Sequence, residues 1–164
     1  MIVLGIDPGY AIVGYGVLNY DGNHFAVVDY GSIQTSAGQE FIDRIEKIHR
    51  GVSLLLEKYK VDEVAIEELF FSKNTKTAID VAQARGVILL AARQYGAGVY
   101  EYTPMQVKQG ICGYGGAPKE QVQGIVKTIL NLKEIPKPDD TADALAIAVS
   151  HCHTNKFSKL FKIK

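Results

Sequence analysis

The first sixteen residues constrain the fold of this chain most strongly. An apolar run over residues 2–6 ends in a single carboxylate, Asp7, and Pro8-Gly9 separates it from a second strand-like run that begins at Ile12. This pattern predicts two adjacent strands with one acid at the tip of the first. Burying a carboxylate is costly unless a positive group neutralises it, so we interpret Asp7 as a ligand for a metal ion or a cationic partner.

The length of 164 residues suits one globular core and is too short for two ordinary domains. We expect one domain over residues 1–153 and a short basic tail over 154–164. No apolar run is long enough to span a bilayer, and the first residues do not resemble a signal peptide. Two cysteines, Cys112 and Cys152, are too few for a disulfide framework and fit a reducing compartment. We therefore expect a cytoplasmic protein without membrane contact.

The formal net charge is zero, which argues against a nonspecific polycation that wraps nucleic acid. The charges are unevenly distributed, however. Residues 1–100 carry 9 Lys or Arg against 12 Asp or Glu, whereas residues 101–164 carry 9 against 6. If several acids bind metal, the basic residues dominate the surface around them. A mixed solvated surface explains the same composition.

The periodicity of apolar residues predicts an α/β fold. Strands are expected over 2–6, 11–19, 24–34, 61–66 and 99–102, and helices over 39–59, 74–95, 118–132 and 139–151. A short helical turn is expected at Val107 and Lys108, before a glycine-rich loop over 110–116. The first three strands form an antiparallel meander, so the whole predicts a mixed five-stranded sheet flanked by helices. Gly86 interrupts the second helix, where close packing against a neighbour is the usual compensation.

Acidic residues recur where elements end or begin. Glu67 follows the fourth predicted strand as Asp7 follows the first, and Asp140 and Asp143 lie three residues apart at the start of the last helix. Acids also cap helix N-termini, so capping and metal ligation remain equally open for Asp143. Four converging carboxylates would suit Mg²⁺ or Mn²⁺, and two such ions about 3.5–4 Å apart can promote phosphodiester hydrolysis.

Several short motifs follow one another in a specific order along nearly the whole chain. They are Gly5-Ile6-Asp7-Pro8-Gly9, Gly14-Tyr15-Gly16-Val17, Ala65-Ile66-Glu67 with Phe70 and Lys73-Asn74, Gln83-Ala84-Arg85-Gly86, Gln106-Val107-Lys108-Gln109, Lys119 with Gln121-Val122-Gln123, and Ala142-Asp143-Ala144-Leu145-Ala146-Ile147-Ala148. Together they resemble the bacterial RuvC family of Holliday-junction resolvases. The order of the motifs is far more specific than any one of them.

The resemblance implies an RNase H-like fold and an endodeoxyribonuclease that acts in recombination and repair. It implies paired symmetric nicks in a four-way DNA junction, which leave 5′-phosphate and 3′-hydroxyl ends. The implied partners are a second copy of the chain in a homodimer and a branch-migration helicase complex of the RuvA and RuvB type.

By motif position, Asp7, Glu67, Asp140 and Asp143 are the implied catalytic and metal-binding acids. The implied cofactor is Mg²⁺, two ions per active site, with Mn²⁺ as a substitute. Glu68 is left out of this set, because strand alternation turns its side chain to the other face. Some relatives have His at the position of Asp140, so this chain carries an all-carboxylate version.

Three residues are expected to contact DNA: Phe70, Lys108 and Lys119. Phe70 is expected to stack on a base near the junction centre, although an aromatic side chain there could also fold into the core. The role of Phe71 is open. Lys108 and Lys119 bracket the glycine-rich loop and by resemblance lie near the scissile phosphate, while a solvated surface lysine is the ordinary alternative. Arg85, with Lys73 and Lys76, is a weaker candidate for the DNA backbone.

Two other functions fit part of the sequence. The Asp7-Pro8-Gly9 turn also resembles the first phosphate loop of actin-like ATPases and sugar kinases, although the chain lacks room for their second domain. A noncatalytic junction-binding module would need no acids at these positions. His151-Cys152-His153 is interpreted as a satisfied helix end without metal. The basic tail could be a frayed end, a DNA contact or a docking segment.

Overall fold

A computed structural model describes residues 1–69, 75–154 and 160–163. These residues form five strands and five helices. In chain order they are β1 (Ile2–Asp7), β2 (Ile12–Tyr20), β3 (Phe25–Gln34), α1 (Phe41–Tyr59), β4 (Glu63–Glu67), α2 (Thr75–Tyr95), β5 (Gly98–Tyr102), α3 (Pro104–Cys112), α4 (Lys119–Ile129) and α5 (Asp139–Thr154).

The strands form one mixed sheet in the order β3-β2-β1-β4-β5. β1, β2 and β3 are antiparallel neighbours, whereas β4 and β5 run parallel to β1. The predicted five-stranded α/β sheet with an antiparallel meander is confirmed. Ile6 of β1 lies opposite Ile66 of β4, so these parallel strands carry Asp7 and Glu67 to the same edge of the sheet.

Side-chain alternation along the strands gives the sheet two buried faces. Leu4 and Ile6 belong to the core shared with α1 and α2, which lie on one face. Val3 and Ala65 belong to the core shared with α3, α4 and α5 on the other face. The sheet is therefore the middle layer of three.

Helix α5 approaches the sheet unusually closely because glycines of β1 and β2 face it. A Cβ atom added at Gly5 would lie 2.2 Å from the carbonyl oxygen of Ala144, and one added at Gly14 would lie 2.0 Å from that of Asp140. These distances are shorter than any real Cβ contact, so the positions require glycine. The start of α5 is thereby held against the edge at which β1 ends.

The short helical turn predicted around Val107 is in fact the nine-residue helix α3, and the loop predicted from residue 110 begins three residues later. Thr103 and Gln106 form a reciprocal capping box that stabilises the first turn of α3. Gly110 is tolerated inside the helix because it packs against Ser150 of α5. The helix ends at Gly113, whose φ of 81° suits glycine.

The described part of the C-terminal segment lies along the outer edge of β5. The main-chain N–H of Glu101 donates to the carbonyl of Phe161, and that of Ile163 donates to Val99, each at 2.9 Å. The division between a domain and a basic tail remains a prediction. Among the described helices, none combines the length and apolar character that crossing a membrane requires.

The close approach of α5 predicts the effect of adding one methyl group to the sheet. We expect Gly5→Ala to lower the free energy of unfolding by about 1–3 kcal/mol, because the main chain of α5 must move. Gly124→Ala is the matched control: no described atom lies within 4 Å of its added Cβ, and it lies inside α4. Urea denaturation of both variants is the measurement, and wild-type stability of Gly5→Ala would contradict this packing.

Candidate active site

The four acids selected from the sequence come from three elements that meet at one edge of the sheet. Asp7 and Glu67 are the last residues of the parallel neighbours β1 and β4. Asp140 and Asp143 lie in the first turns of α5. This helix can pack close to β2 because Gly14 has no side chain. All four side chains are half-buried.

The pKa values show that these acids lie within electrostatic reach of one another. The pKa of Asp7 is raised from 3.8 to about 8, first by burial and then by the charges of Glu67, Asp143 and Asp140. The pKa of Glu67 is raised to about 6, by burial and then by Asp143. The four predicted acids therefore lie at one edge of the sheet within electrostatic reach of Asp7, which occupies the most costly position for a negative charge.

A lysine partly compensates the acids. Lys119 Nζ lies 2.8 Å from Asp143 Oδ2 and 3.5 Å from Asp139 Oδ2. Its charge lowers the pKa values of Asp7 and Glu67, although burial and repulsion by the other acids outweigh it. The sequence pattern predicts Lys119 as a phosphate contact but does not indicate its pairing with this cluster, and it does not single out Asp139. The only signal was an additional acid directly before Asp140.

The donor set fits a hard divalent cation, although the side chains are not arranged as a finished site. Nowhere in residues 1–69, 75–154 and 160–163 do three His, Cys, Asp or Glu side chains lie in positions to hold a metal ion together. The donors are carboxylate oxygens only, which Mg²⁺ and Mn²⁺ prefer. A cation would also relieve the repulsion that raises the pKa of Asp7.

A pocket of about 180 Å³ opens beside the acids and is lined by side chains of both charges. Glu67, Asp143, Lys108 and Lys119 are the charged residues among them. Apolar residues complete the lining: Pro104, Val107, Val122, Ala146 and Ile147. Such a pocket offers carboxylates to a cation and ammonium groups to a phosphate oxygen.

The remaining predictions have different outcomes. Phe70, Phe71 and Lys73 lie outside the described residues, so the predicted stacking of Phe70 on a base remains a prediction. His151 is fully buried; its Nδ1 lies 2.7 Å from the hydroxyl of Tyr102, and its Nε2 lies 2.7 Å from Glu63. It has the satisfied structural environment expected for this helix end.

Comparisons by sequence and by structure both find members of one protein family. The family model for the crossover junction endodeoxyribonuclease RuvC matches residues 3–151. The chain is 54% identical to the crossover junction endodeoxyribonuclease RuvC of Alkaliphilus oremlandii over the full length of both chains. It is 55% identical to that of Clostridioides difficile, covering 99% of this chain and 96% of the relative.

Two solved structures resemble the whole chain. Thermus thermophilus RuvC superposes with a TM-score of 0.92 at 38% identity, covering 99% of this chain and 100% of that one. T. thermophilus RuvC in complex with a Holliday junction substrate gives a TM-score of 0.90 at 36% identity and covers 99% of each chain. These similarities confirm the predicted RNase H-like fold and the family resemblance.

The raised pKa of Asp7 predicts how stability depends on pH in the metal-free protein. The unfolded chain loses the Asp7 proton near pH 3.8 and the folded chain near pH 8. Folding is therefore favoured by this group below pH 4, and that contribution is lost as the pH rises to 8. We expect Asp7→Asn to be more stable than wild type at pH 8.5, by on the order of 2 kcal/mol, and by much less at pH 5.

Urea denaturation in the presence of a chelator at both pH values is the measurement. Asp139→Asn is the control, because Lys137 and Lys119 lower the pKa of Asp139 and its removal should give no gain at high pH. If the free energies of unfolding of wild type and Asp7→Asn changed with pH in the same way, the charge on Asp7 would not destabilise the folded protein.

Proposed function

The chain belongs to the RuvC family of crossover junction endodeoxyribonucleases, enzymes that resolve Holliday junctions, and from this membership we propose how its site cleaves DNA. Asp7, Glu67, Asp140 and Asp143 are the catalytic acids and hold two Mg²⁺ ions, for which Mn²⁺ can substitute. The observation that carries this proposal is the meeting of β1, β4 and the first turns of α5 at one edge of the sheet, where Glu67, Asp143 and Asp140 lie within electrostatic reach of Asp7.

The acids and the lysines that line the pocket would have different roles. When bound, divalent ions supply activation of a water molecule and stabilisation of the leaving oxygen. The four carboxylates orient those ions, and Lys108 and Lys119 attract the phosphodiester into the pocket. The water loses a proton to solvent as its oxygen bonds to phosphorus, the bond from phosphorus to the 3′ oxygen breaks, and that oxygen takes up a proton. The products are a 5′-phosphate and a 3′-hydroxyl.

Lys119 has two sets of partners in this proposal. In the present structure its ammonium group is paired with Asp143 and, at longer distance, with Asp139. A cation bound by Asp143 would compete for the same carboxylate and favour contact of Lys119 with a phosphate oxygen instead. From the family resemblance, Phe70 is proposed to stack on an unpaired base near the junction centre.

The first test is Asp7→Asn with a four-way junction. We expect cleavage in Mg²⁺ to fall by more than about 10³-fold, because a metal-binding acid is lost, while junction affinity is retained. Asp43→Asn, an exposed acid on α1, is the matched control and should cleave like wild type. Mapping the nicks on a labelled junction gives the readout, and undiminished cleavage by Asp7→Asn would refute the assignment of this acid.

We also propose a homodimer in which α2 supplies much of the interface. Ile79 and Leu90 on this helix are 60% and 49% exposed, and Gly86 lies between them on the same side. The neighbour expected to pack against Gly86 is absent from the described part of this chain, where no atom lies within 4 Å of its added Cβ. A second copy of α2 would cover this apolar face, and two active sites would explain paired nicks.

The dimer proposal predicts that Leu90→Asp shifts the protein toward monomer, since a charge would be buried in the interface. Leu54→Asp is the control, because Leu54 is 62% exposed on α1 and lies in a depression with Ile33 of β3. Sedimentation velocity measures the oligomeric state. A monomeric wild type, or equal behaviour of the two variants, would contradict a dimer built on α2.

One partner complex and one cellular location are proposed from family membership alone. We propose that the dimer works with a branch-migration helicase complex of the RuvA and RuvB type, and that it does so in the cytoplasm. Co-sedimentation of the protein with such a complex on a four-way junction would support the first assignment.

A further inference from the structure

Arg85 of α2 directs its guanidinium group into the protein at the ends of β4 and β5. Its side chain is only 15% exposed, and Nη2 lies 2.5 Å from Oε2 of Glu101 on β5. Its Nε donates a long hydrogen bond, 3.4 Å, to the main-chain carbonyl of Glu67. The sequence suggested a DNA contact for this arginine, but its hydrogen bonds are to the strand ends that carry the acid cluster.

These contacts are made at the C-terminal end of β4. Glu67 is the last residue of β4, and the ladder to β5 is closed by the Glu68 N–H, which donates to the carbonyl of Tyr102 at 2.9 Å. A catalytic side chain has to be held within about 0.5 Å of its productive position. Arg85 connects this strand end to α2.

The chemistry of arginine suits a bridge of this kind. Its planar group carries donors in a fixed fork, so one side chain can reach a carboxylate on β5 and a carbonyl on β4 together. Lysine could pair with Glu101 but would not present the same fork. Glu101 is 39% exposed and keeps the guanidinium in place from the β5 side.

We propose that Arg85, fixed by Glu101, is a positioning residue for Glu67 and not a DNA contact. The proposal rests on the proposed role of Glu67 in the acid cluster. Since α2 also carries the exposed face of Ile79 and Leu90, Arg85 joins the proposed dimer helix to the active site. Junction binding on its own does not require this bridge.

The test compares Arg85→Met, Arg85→Lys, Glu101→Gln and the double variant Arg85→Met/Glu101→Gln. Single-turnover cleavage of a four-way junction is measured against Mg²⁺ concentration, and junction affinity is measured without Mg²⁺ at several salt concentrations. Arg50→Met is the control, because Arg50 forms an exposed pair with Glu46 on α1. Circular dichroism and thermal melting establish that each variant is folded.

We expect Arg85→Met and Glu101→Gln each to slow cleavage by about 10–100-fold and to require more Mg²⁺, as losses around a metal site do. The double variant should be no slower than Arg85→Met, because both changes break one bridge. Arg85→Lys should remain slower than wild type. Junction affinity and its salt dependence should stay within about two-fold of wild type in every variant, since the charge does not face the DNA.

Two results would contradict the positioning role of Arg85. Weaker junction binding by Arg85→Met, with a salt slope reduced by about one and Glu101→Gln like wild type, would make Arg85 a phosphate contact and overturn the proposal. Wild-type cleavage by folded Arg85→Met would also overturn it. Failure of the broader function is distinguishable, because it would appear as unimpaired cleavage by Asp7→Asn.

Discussion

The close contact between α5 and the glycines of β1 and β2 sets the position of the acids at the start of α5 relative to the sheet. A side chain at Gly5 or Gly14 would overlap the main chain of α5, so the helix can lie at its present distance only because these residues lack a Cβ. Ala144 and Ala148 keep the helix surface equally small. The first turns of α5 consequently place Asp140 and Asp143 beside the ends of β1 and β4.

This packing brings negative charges close together, and a bound cation would reduce their repulsion. The pKa of Asp7 rises to about 8 because burial and three neighbouring acids disfavour its charge. Lys119 offsets part of the repulsion by pairing with Asp143. One lysine is insufficient, since the pKa of Glu67 also remains raised, to about 6. Metal binding and stability are thus expected to be coupled through the same four carboxylates.

Much of the fold, and the position of the acids at the ends of strands and at the start of α5, could be predicted from the sequence, because apolar periodicity marks the strands and helices. The length of α3 could not, because local capping by Thr103 and Gln106 outweighed the helix-breaking tendency of Gly110. The direction of the Arg85 side chain and the pairing of Lys119 with Asp143 were also hidden. Both depend on residues that are distant in sequence and meet only in the folded chain.

Joint binding of divalent metal by the four carboxylates can be observed by anomalous X-ray scattering from crystals of the protein soaked in Mn²⁺, because the ions are located without reference to activity. We expect anomalous peaks within about 2.0–2.6 Å of Asp7 and Glu67 oxygens, with Asp140 or Asp143 completing the ligands. An acid cluster without an anomalous peak at saturating Mn²⁺, with Lys119 still paired to Asp143, would contradict it.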